Sequence, residues 1–407
     1  MIDVLRNGAW LTRERLRVYP LMLLIGLSLA VLFLGATSNG QMDRFDRPLG
    51  TDFSQVWTAG VEVLEGQPQA PYDNRVHAQK QRDLFGDKTQ FYGWHYPPYF
   101  LGLAAVLALM PYLVALLAWQ AATLALYLAS VRAIIAGRIA PARAWLIPAL
   151  AFPAVFVNLG HGHNGFLTAA LLACALLCLD KRPWLAGLLI GLLAYKPQFA
   201  LIVPVALVAG GHWRTLVSAA ATVAAMTLAT LALWGPAVWQ GFFASLAFTR
   251  DVVLEQGSTG FEKIQTVFAG LRLIGASVAM AYAGQAVATL LVVLAVAWLW
   301  HQRADFRLRA AALMVATMLT TPYALDYDMM VLGPALAFMV MHGLERGFAP
   351  FEKTLLALVW VVPLLARCLG MATHVPVGVL VMAGVFVVVM GRWVQGDGAP
   401  QGLAVNA

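Results

Sequence analysis

Asp52, in GTDFSQVW, is a carboxylate set just beyond the first long apolar run, where it can take a proton from a hydroxyl held at a membrane-facing mouth. Asp43 and Asp46 lie close by and could serve the same purpose, and spacing alone does not choose among the three. Lys196, in YKPQ, stands between two short apolar runs. A cation in that setting is costly unless it snorkels to water or meets an anion, and a phosphate at the bilayer surface is a natural partner. His161, His163 and Asn164 occupy a glycine-flanked break in NLGHGHNG, where they can bind sugar hydroxyls or phosphate, or simply satisfy the broken backbone. No carboxylate is near them in sequence, so the HxH spacing is not expected to hold a metal. Asp326 and Asp328 form a DxD in ALDYD. That spacing holds a divalent ion on a diphosphate when it sits on a soluble α/β nucleotide-binding domain, and this chain has neither strand–helix alternation nor a GxGxxG. The two carboxylates can instead orient a sugar, position Lys196 or end a helix.

The elements that must place these groups are apolar. Of 407 residues 61% are hydrophobic and 12% charged, which excludes a set of soluble domains and points to an all-α polytopic membrane protein. The net charge of +7 comes from bases scattered singly or in pairs through short connections, so it reads as topology signal and not as a nucleic-acid surface. Cys174 and Cys178 share one apolar segment and Cys368 is distant, which argues against a disulfide framework or zinc site. Arg6, Arg13, Arg15 and Arg17 precede the first run, which we read as an uncleaved span with a cytoplasmic N-terminus.

Residues 1–407 are expected to form one integral membrane domain. Its parts are a first span at 19–36, an extracytoplasmic loop at 37–98 carrying an interfacial helix, a broken-helix core at 99–234, a second extracytoplasmic loop at 235–277, C-terminal spans at 278–391 and a cytoplasmic tail at 392–407. Within the first loop, residues 43–98 carry eight of the 20 acidic residues, and Val56, Trp57, Gly60, Val61 and Leu64 recur at helical spacing. Such a helix can lie in the membrane interface, with Tyr72, Phe91, Tyr92, Trp94, Tyr96 and Tyr99 as boundary aromatics. About twelve crossings are expected, near 19–36, 113–135, 145–157, 165–180, 184–195, 199–210, 215–234, 278–300, 309–322, 329–343, 354–367 and 376–391. If residues 99–110 re-enter and do not cross, Arg132, Arg138, Arg143, Arg214, Arg346 and Arg392 all fall on the cytoplasmic side. The chemistry-bearing segments 158–165, 194–198, 235–277 and 321–328 then gather beside the first loop. The second loop can act as a lid or bind an anionic head group through Arg250 and Lys263.

The ordered set TDFSQVWTAG, EGQPQAPYD, YPPYFLGL, GHNGFLTAALL, RPWLAGLLIGLLAYKPQFALIVPVAL, EKIQTVFAGLRLIG and TPYALDYD resembles the family-87 glycosyltransferases of the GT-C superfamily over most of residues 45–335. The resemblance implies a hexosyltransferase of mannosyltransferase type in the plasma (inner) membrane, with its active site on the periplasmic face. It implies a polyprenyl phosphate-linked sugar donor, a lipid or glycan acceptor and no required cofactor, with a divalent metal on the DxD possible but not expected. It places the general base at Asp52 and a phosphate contact at Lys196, with Arg250 and Lys263 as further phosphate-binding candidates. His95, His161, His163, Asn164, Gln198, Gln265, Tyr323, Asp326 and Asp328 are the candidates for holding sugar or acceptor. The helix break departs from the GQ-N pattern associated with the family, reading GHGHN, so the sugar need not be mannose. The competing reading is a transporter or flippase of a lipid-linked sugar, which should show internal repeats that this sequence lacks.

Overall fold

The computed structural model describes residues 1–135 and 144–395, all helix and loop; Arg138, Arg143 and the tail from residue 396 lie outside the described residues. We label the main helices α1 (Arg13–Ala36), α2 (Phe53–Leu64), α3 (Asn74–Phe85), α4 (Tyr99–Ala108), α5 (Tyr112–Ile135), α6 (Pro153–His161), α7 (Gly165–Cys178), α8 (Pro183–Leu192), α9 (Ile202–Ala209) and α10 (Trp213–Trp234). They continue with α11 (Pro236–Phe248), α12 (Val267–Leu273), α13 (Val278–His301), α14 (Phe306–Leu319), α15 (Leu332–Arg346), α16 (Glu352–Thr373) and α17 (Val377–Val394).

Among the described residues seven helices are long and apolar enough to cross a membrane: α1, α5, α10, α13, α16, α17, and α15 counted from Asp326. That is fewer than the twelve crossings expected, and the difference lies in the middle of the chain. The segment 145–157 divides into Leu146–Leu150 and α6 at Pro153, while α4, α7, α8 and α9 have 14 residues or fewer. Proline and glycine cause the breaks. Pro197 disfavours the helical region for the residue before it, and Lys196 accordingly sits at φ −120°, ψ 77°. The expected crossing at 309–322 is the 14-residue α14, whose residues 310–319 are all buried. Four alanines in that run let neighbouring helices approach closely, and α14 forms the centre of the bundle. By contrast α1 buries only Pro20 and turns Leu21, Met22, Ile25, Leu29 and Phe33 outward, as lipid surroundings favour.

The first polar loop is built into the protein. The expected interfacial helix is α2, and its apolar face is covered: Phe53, Val56, Ala59 and Gly60 are buried against α4, where a side chain at Gly60 would strike the Ala104 carbonyl. Tyr72, Trp94 and Tyr96 are likewise buried and not boundary aromatics. Asp73 caps α3 by accepting from the Arg75 and Val76 N–H groups, and His77 of α3 meets Glu62 of α2 at 2.8 Å. Gln81 then donates to the Tyr92 carbonyl at 2.7 Å and accepts from its N–H at 3.0 Å. This clamp ties residues 91–97, which lie outside any helix, to α3. At the other end of the bundle α17 runs to Val394, so Arg392, expected to start a tail, is a buried helical residue that donates to the Gly347 carbonyl.

The half-helix α8 carries a GxxxG, Gly187 and Gly191, packed on α10. Side chains at these positions would collide with Thr215, Ser218 and Thr222, and Ser218 Oγ donates to the Trp184 carbonyl at 2.7 Å. Replacing Gly187 by valine is expected to cost about 1–3 kcal/mol through overpacking. Thermal unfolding in detergent checks this; an unchanged midpoint would show that the two helices do not depend on close approach.

Candidate active site

Two helix ends meet at the centre of the polar region. Asp52 is the residue before α2, in the capping position, yet its side chain makes no capping hydrogen bond. Its carboxylate turns instead to His161, the last residue of α6, whose Nδ1 lies 3.6 Å from Asp52 Oδ2 and 2.9 Å from Thr51 Oγ1. The Asp52 side chain is 12% exposed. Negative charge is favoured at a helix N-terminus and positive charge at a C-terminus, each by about 0.3–1 kcal/mol near the surface. Burial works to raise the Asp52 carboxyl, but the neighbouring His161, helped by Lys263 and His163, outweighs it and holds the group well below the usual carboxylate range.

Gly162 makes this meeting geometrically possible. It ends α6 in the left-handed region at φ 60°, and a Cβ there would come within 2.7 Å of Phe53 Cβ and 3.2 Å of the Gly50 carbonyl. Beyond it, Asn158 bridges the break: its Nδ2 donates to the His163 carbonyl at 3.1 Å and its Oδ1 accepts from Gly165 N–H at 2.8 Å. Asn164 Nδ2 donates to Tyr96 Oη at 2.8 Å, leaving the Tyr96 hydroxyl hydrogen for His163 Nε2 at 3.0 Å. The polar break thus satisfies much of its own backbone while fixing two side chains in the site.

Tyr327, the residue between the two aspartates of the ALDYD run, is the hub of the other wall. His163 stacks on its ring with centroids 3.5 Å apart, and His161 meets it edge-on at 5.6 Å. Lys196 Nζ lies 5.4 Å and Lys263 Nζ 5.9 Å from the same ring centroid. Lys196 also donates to Asp328 Oδ1, while Asp328 Oδ2 accepts from Leu325 N–H at 3.0 Å. Lys263 arrives from the second polar stretch by an antiparallel clip: Gln265 N–H donates to the Ala324 carbonyl at 2.8 Å and Asp326 N–H to the Lys263 carbonyl at 3.0 Å. Gln285, buried in α13, secures the clip by accepting from Phe268 N–H and donating to the Leu319 carbonyl.

The structure therefore draws Asp52, His161, His163, Asn164, Lys196, Lys263, Asp326 and Asp328 into one neighbourhood. His95 joins its margin, sharing a 2.8 Å hydrogen bond with Thr249 and lying edge-on to Tyr323 at 6.2 Å. Burial depresses the His95 imidazole to about 4, so it is neutral at ordinary pH. Gln265 is buried in the clip, its amide donating to the Glu262 carbonyl at 2.7 Å, and Gln198 is half-buried beside Lys196. Arg250 is different: its guanidinium is 61% exposed and pairs with Asp251 at 2.6 Å, which places it on the surface and not against the Tyr327 hub. Asp43 is taken up by Arg47 and the turn around it, and the exposed Asp46 faces Lys88. Tyr96, Asn158 and Tyr327 were not singled out for this role from sequence, because an aromatic or an asparagine in a polar loop has no spacing that marks it.

Both Asp328 oxygens are occupied by Lys196 and Leu325 N–H, and Asp326 Oδ1 accepts from Tyr327 N–H at 2.9 Å. Replacing Gly162 by alanine should strain the left-handed turn and push α6 from Phe53, at about 1–2 kcal/mol for the backbone alone. The expected result is a lower unfolding temperature; an equally stable variant would show the close approach to be dispensable.

The chain matches no curated protein and no solved structure. Residues 94–322 match the profile of glycosyltransferase family 87, a span that takes in the WHYPP segment, the GHGHN break, the lysine turn and the Lys263 side of the clip. With more than half of its length matched, this multi-pass membrane protein belongs to glycosyltransferase family 87.

Proposed function

We propose that the protein transfers a sugar from a polyprenyl phosphate-linked donor to a hydroxyl of a lipid or glycan acceptor, on the extracytoplasmic face of the plasma membrane. The observation that carries the reading is the placement of one ionised carboxylate, Asp52, across from two lysines that share the Tyr327 ring, at the mouth of a bundle of broken apolar helices. Asp52 removes the proton of the acceptor hydroxyl, and the acceptor oxygen forms a bond to the anomeric carbon. The bond from that carbon to the phosphate oxygen breaks, and its electron pair leaves with the polyprenyl phosphate. Attack opposite to departure inverts the anomeric centre. Fixed cations can stabilise a monophosphate leaving group, so the step requires no metal.

The geometry divides the cations. Lys196 is buried and already paired with Asp328, whereas the Lys263 ammonium has the Tyr327 ring but no ion pair or hydrogen bond among the described residues. We assign the arriving phosphate chiefly to Lys263, with Lys196 supplying charge from beneath. His163 and Asn164 are assigned to the sugar or acceptor, each retaining one buried polar atom without a hydrogen-bond partner, Nδ1 and Oδ1. The apolar outer faces of the bundle would accommodate the prenyl chain.

In lipid, Asp52→Asn is expected to lower transfer from polyprenyl phosphate mannose, or from another member of a panel of polyprenyl phosphate sugars, at least about a hundredfold while the protein stays folded. Nucleotide sugars should give no product in the same screen. Product from nucleotide sugars alone would overturn the donor assignment, and full activity of the variant the base assignment. Lys263→Ala should raise the apparent donor KM without loss of stability. Lys196→Ala, by stranding the buried Asp328, should destabilise the fold by about 3–5 kcal/mol. Equal effects of the two lysine variants on stability and KM would contradict this division. For sidedness, a cysteine placed at Asp73 should react with an impermeant maleimide added from outside intact cells; labelling only after lysis would reverse the assignment.

A further inference from the structure

We propose that His161 is the positioning residue of the catalytic centre, orienting the Asp52 carboxylate and holding it electrostatically toward the acceptor. The inference rests on Asp52 being the base and gives His161 a role other than direct contact with sugar.

Four features of the geometry carry it. An aspartate before a helix ordinarily accepts from the N–H groups of the first turn, and Asp52 does not; its side chain turns to His161, 3.6 Å away. The imidazole is itself fixed, by Thr51 at 2.9 Å and by the edge-on Tyr327 ring. A lone pair at Nδ1 would face the carboxylate, so the hydrogen belongs on Nδ1, where Thr51 Oγ1 and Asp52 Oδ2 both lie on its side. Finally, α2 and α6 meet with opposite dipole ends, and the N-terminal end of α2 favours the negative charge of Asp52 beside it. Asp52 remains partly exposed at 12%, so one face of the carboxylate stays open to an acceptor hydroxyl.

Other charged and titratable groups also face this pair. Tyr92, His95 and Tyr96 approach from the segment tied to α3, His163 from the helix break and Lys263 from the clip. Tyr323, Asp326 and Tyr327 come from the TPYALDYD segment, and Lys196 with its partner Asp328 lies beneath. His161 is the group of this set in direct contact with the Asp52 carboxylate. The Asp52 carboxyl lies below its ordinary value, so its ionised form is maintained above that value and is lost as pH falls through the lowered one. Without His161, burial is opposed only by the more distant cations, and protonation of Asp52 must move to higher pH.

The test is His161→Gln, which keeps a polar side chain and removes the imidazole. Transfer from polyprenyl phosphate mannose to membrane lipids by the reconstituted protein should show an acid limb displaced upward by at least about one pH unit, a tenfold loss at its foot. Activity should recover toward alkaline pH with donor KM unchanged, and His161→Arg should restore part of the loss. A pH profile reduced by one constant factor would overturn the inference, because a merely structural role acts equally at every pH. A substrate-free reading accompanies it: in infrared titration, the carboxyl signal that disappears in Asp52→Asn should titrate at higher pH in His161→Gln than in the unaltered protein, and identical titrations would overturn the inference even if the donor is another sugar. Full activity of Asp52→Asn identifies failure of the base assignment. An inactive Asp52→Asn combined with an unshifted His161→Gln identifies failure of the His161 role alone.

Discussion

The contact of α6 with the Gly50–Phe53 turn is the constraint on which the site depends. It joins a helix that begins with a carboxylate to one that ends with an imidazole, and it does so through Gly162, whose missing side chain makes room for Phe53. Bringing two helix ends together leaves N–H and C=O groups exposed in a region poor in water, which is costly. Here the cost is offset by local partners: Asn158 bridges the His163 carbonyl and the Gly165 N–H, the Gly162 and His163 N–H groups donate to the Leu159 and Asn158 carbonyls, and those of Phe53 and Ser54 donate to the Gly50 and Thr51 carbonyls. The same irregular backbone that would be unfavourable in a continuous span is what supplies the polar surface of the site.

From that joint the second wall follows. The segment after α14 cannot continue as a helix through Pro322, and its return carries Tyr327 under His163 and Asp328 to Lys196. The clip of residues 263–266 on 322–326 then carries a second lysine to the same ring from a segment far away in sequence. Gln285 reaches from the membrane helix α13 to both sides of the clip, so a buried polar residue in an apolar segment has a positioning role. A buried lysine–aspartate pair stabilises little on net compared with apolar packing, but removing either partner strands the other. Lys196 and Asp328 are thus a rigid floor, and Lys263 is the cation left for an arriving anion.

Much of this was legible in the sequence, for reasons that can be separated. Apolar composition gave the helical membrane bundle, and the cost of burying an ammonium made Lys196 conspicuous before any partner was known. The partner was harder to read, since a DxD resembles a metal motif as readily as a salt-bridge anchor, although positioning Lys196 was among its expected roles. Twelve crossings were expected where seven helices among the described residues are long enough, because hydropathy does not register where Pro153, Gly162 and Pro197 divide a run into half-helices. The helix at 53–64 was placed in sequence but not in space: amphipathicity is the same whether the apolar face meets lipid or another helix, and here it meets α4. Tyr96 and Tyr327 were invisible as site residues because their importance comes from stacking and relayed hydrogen bonds between segments far apart in the chain.

The central claim, that these dispersed segments form one transfer centre in this family-87 glycosyltransferase, is tested most directly by an electron cryomicroscopy structure with a non-transferable polyprenyl phosphonate C-glycoside. The account predicts the phosphonate beside Lys263 and the Tyr327 ring, with the anomeric carbon turned toward Asp52 and room between them for an acceptor oxygen at roughly 3–3.5 Å from the carbon. A phosphonate bound at the exposed Arg250, or an anomeric carbon on the far side of Tyr327 from Asp52, would contradict it.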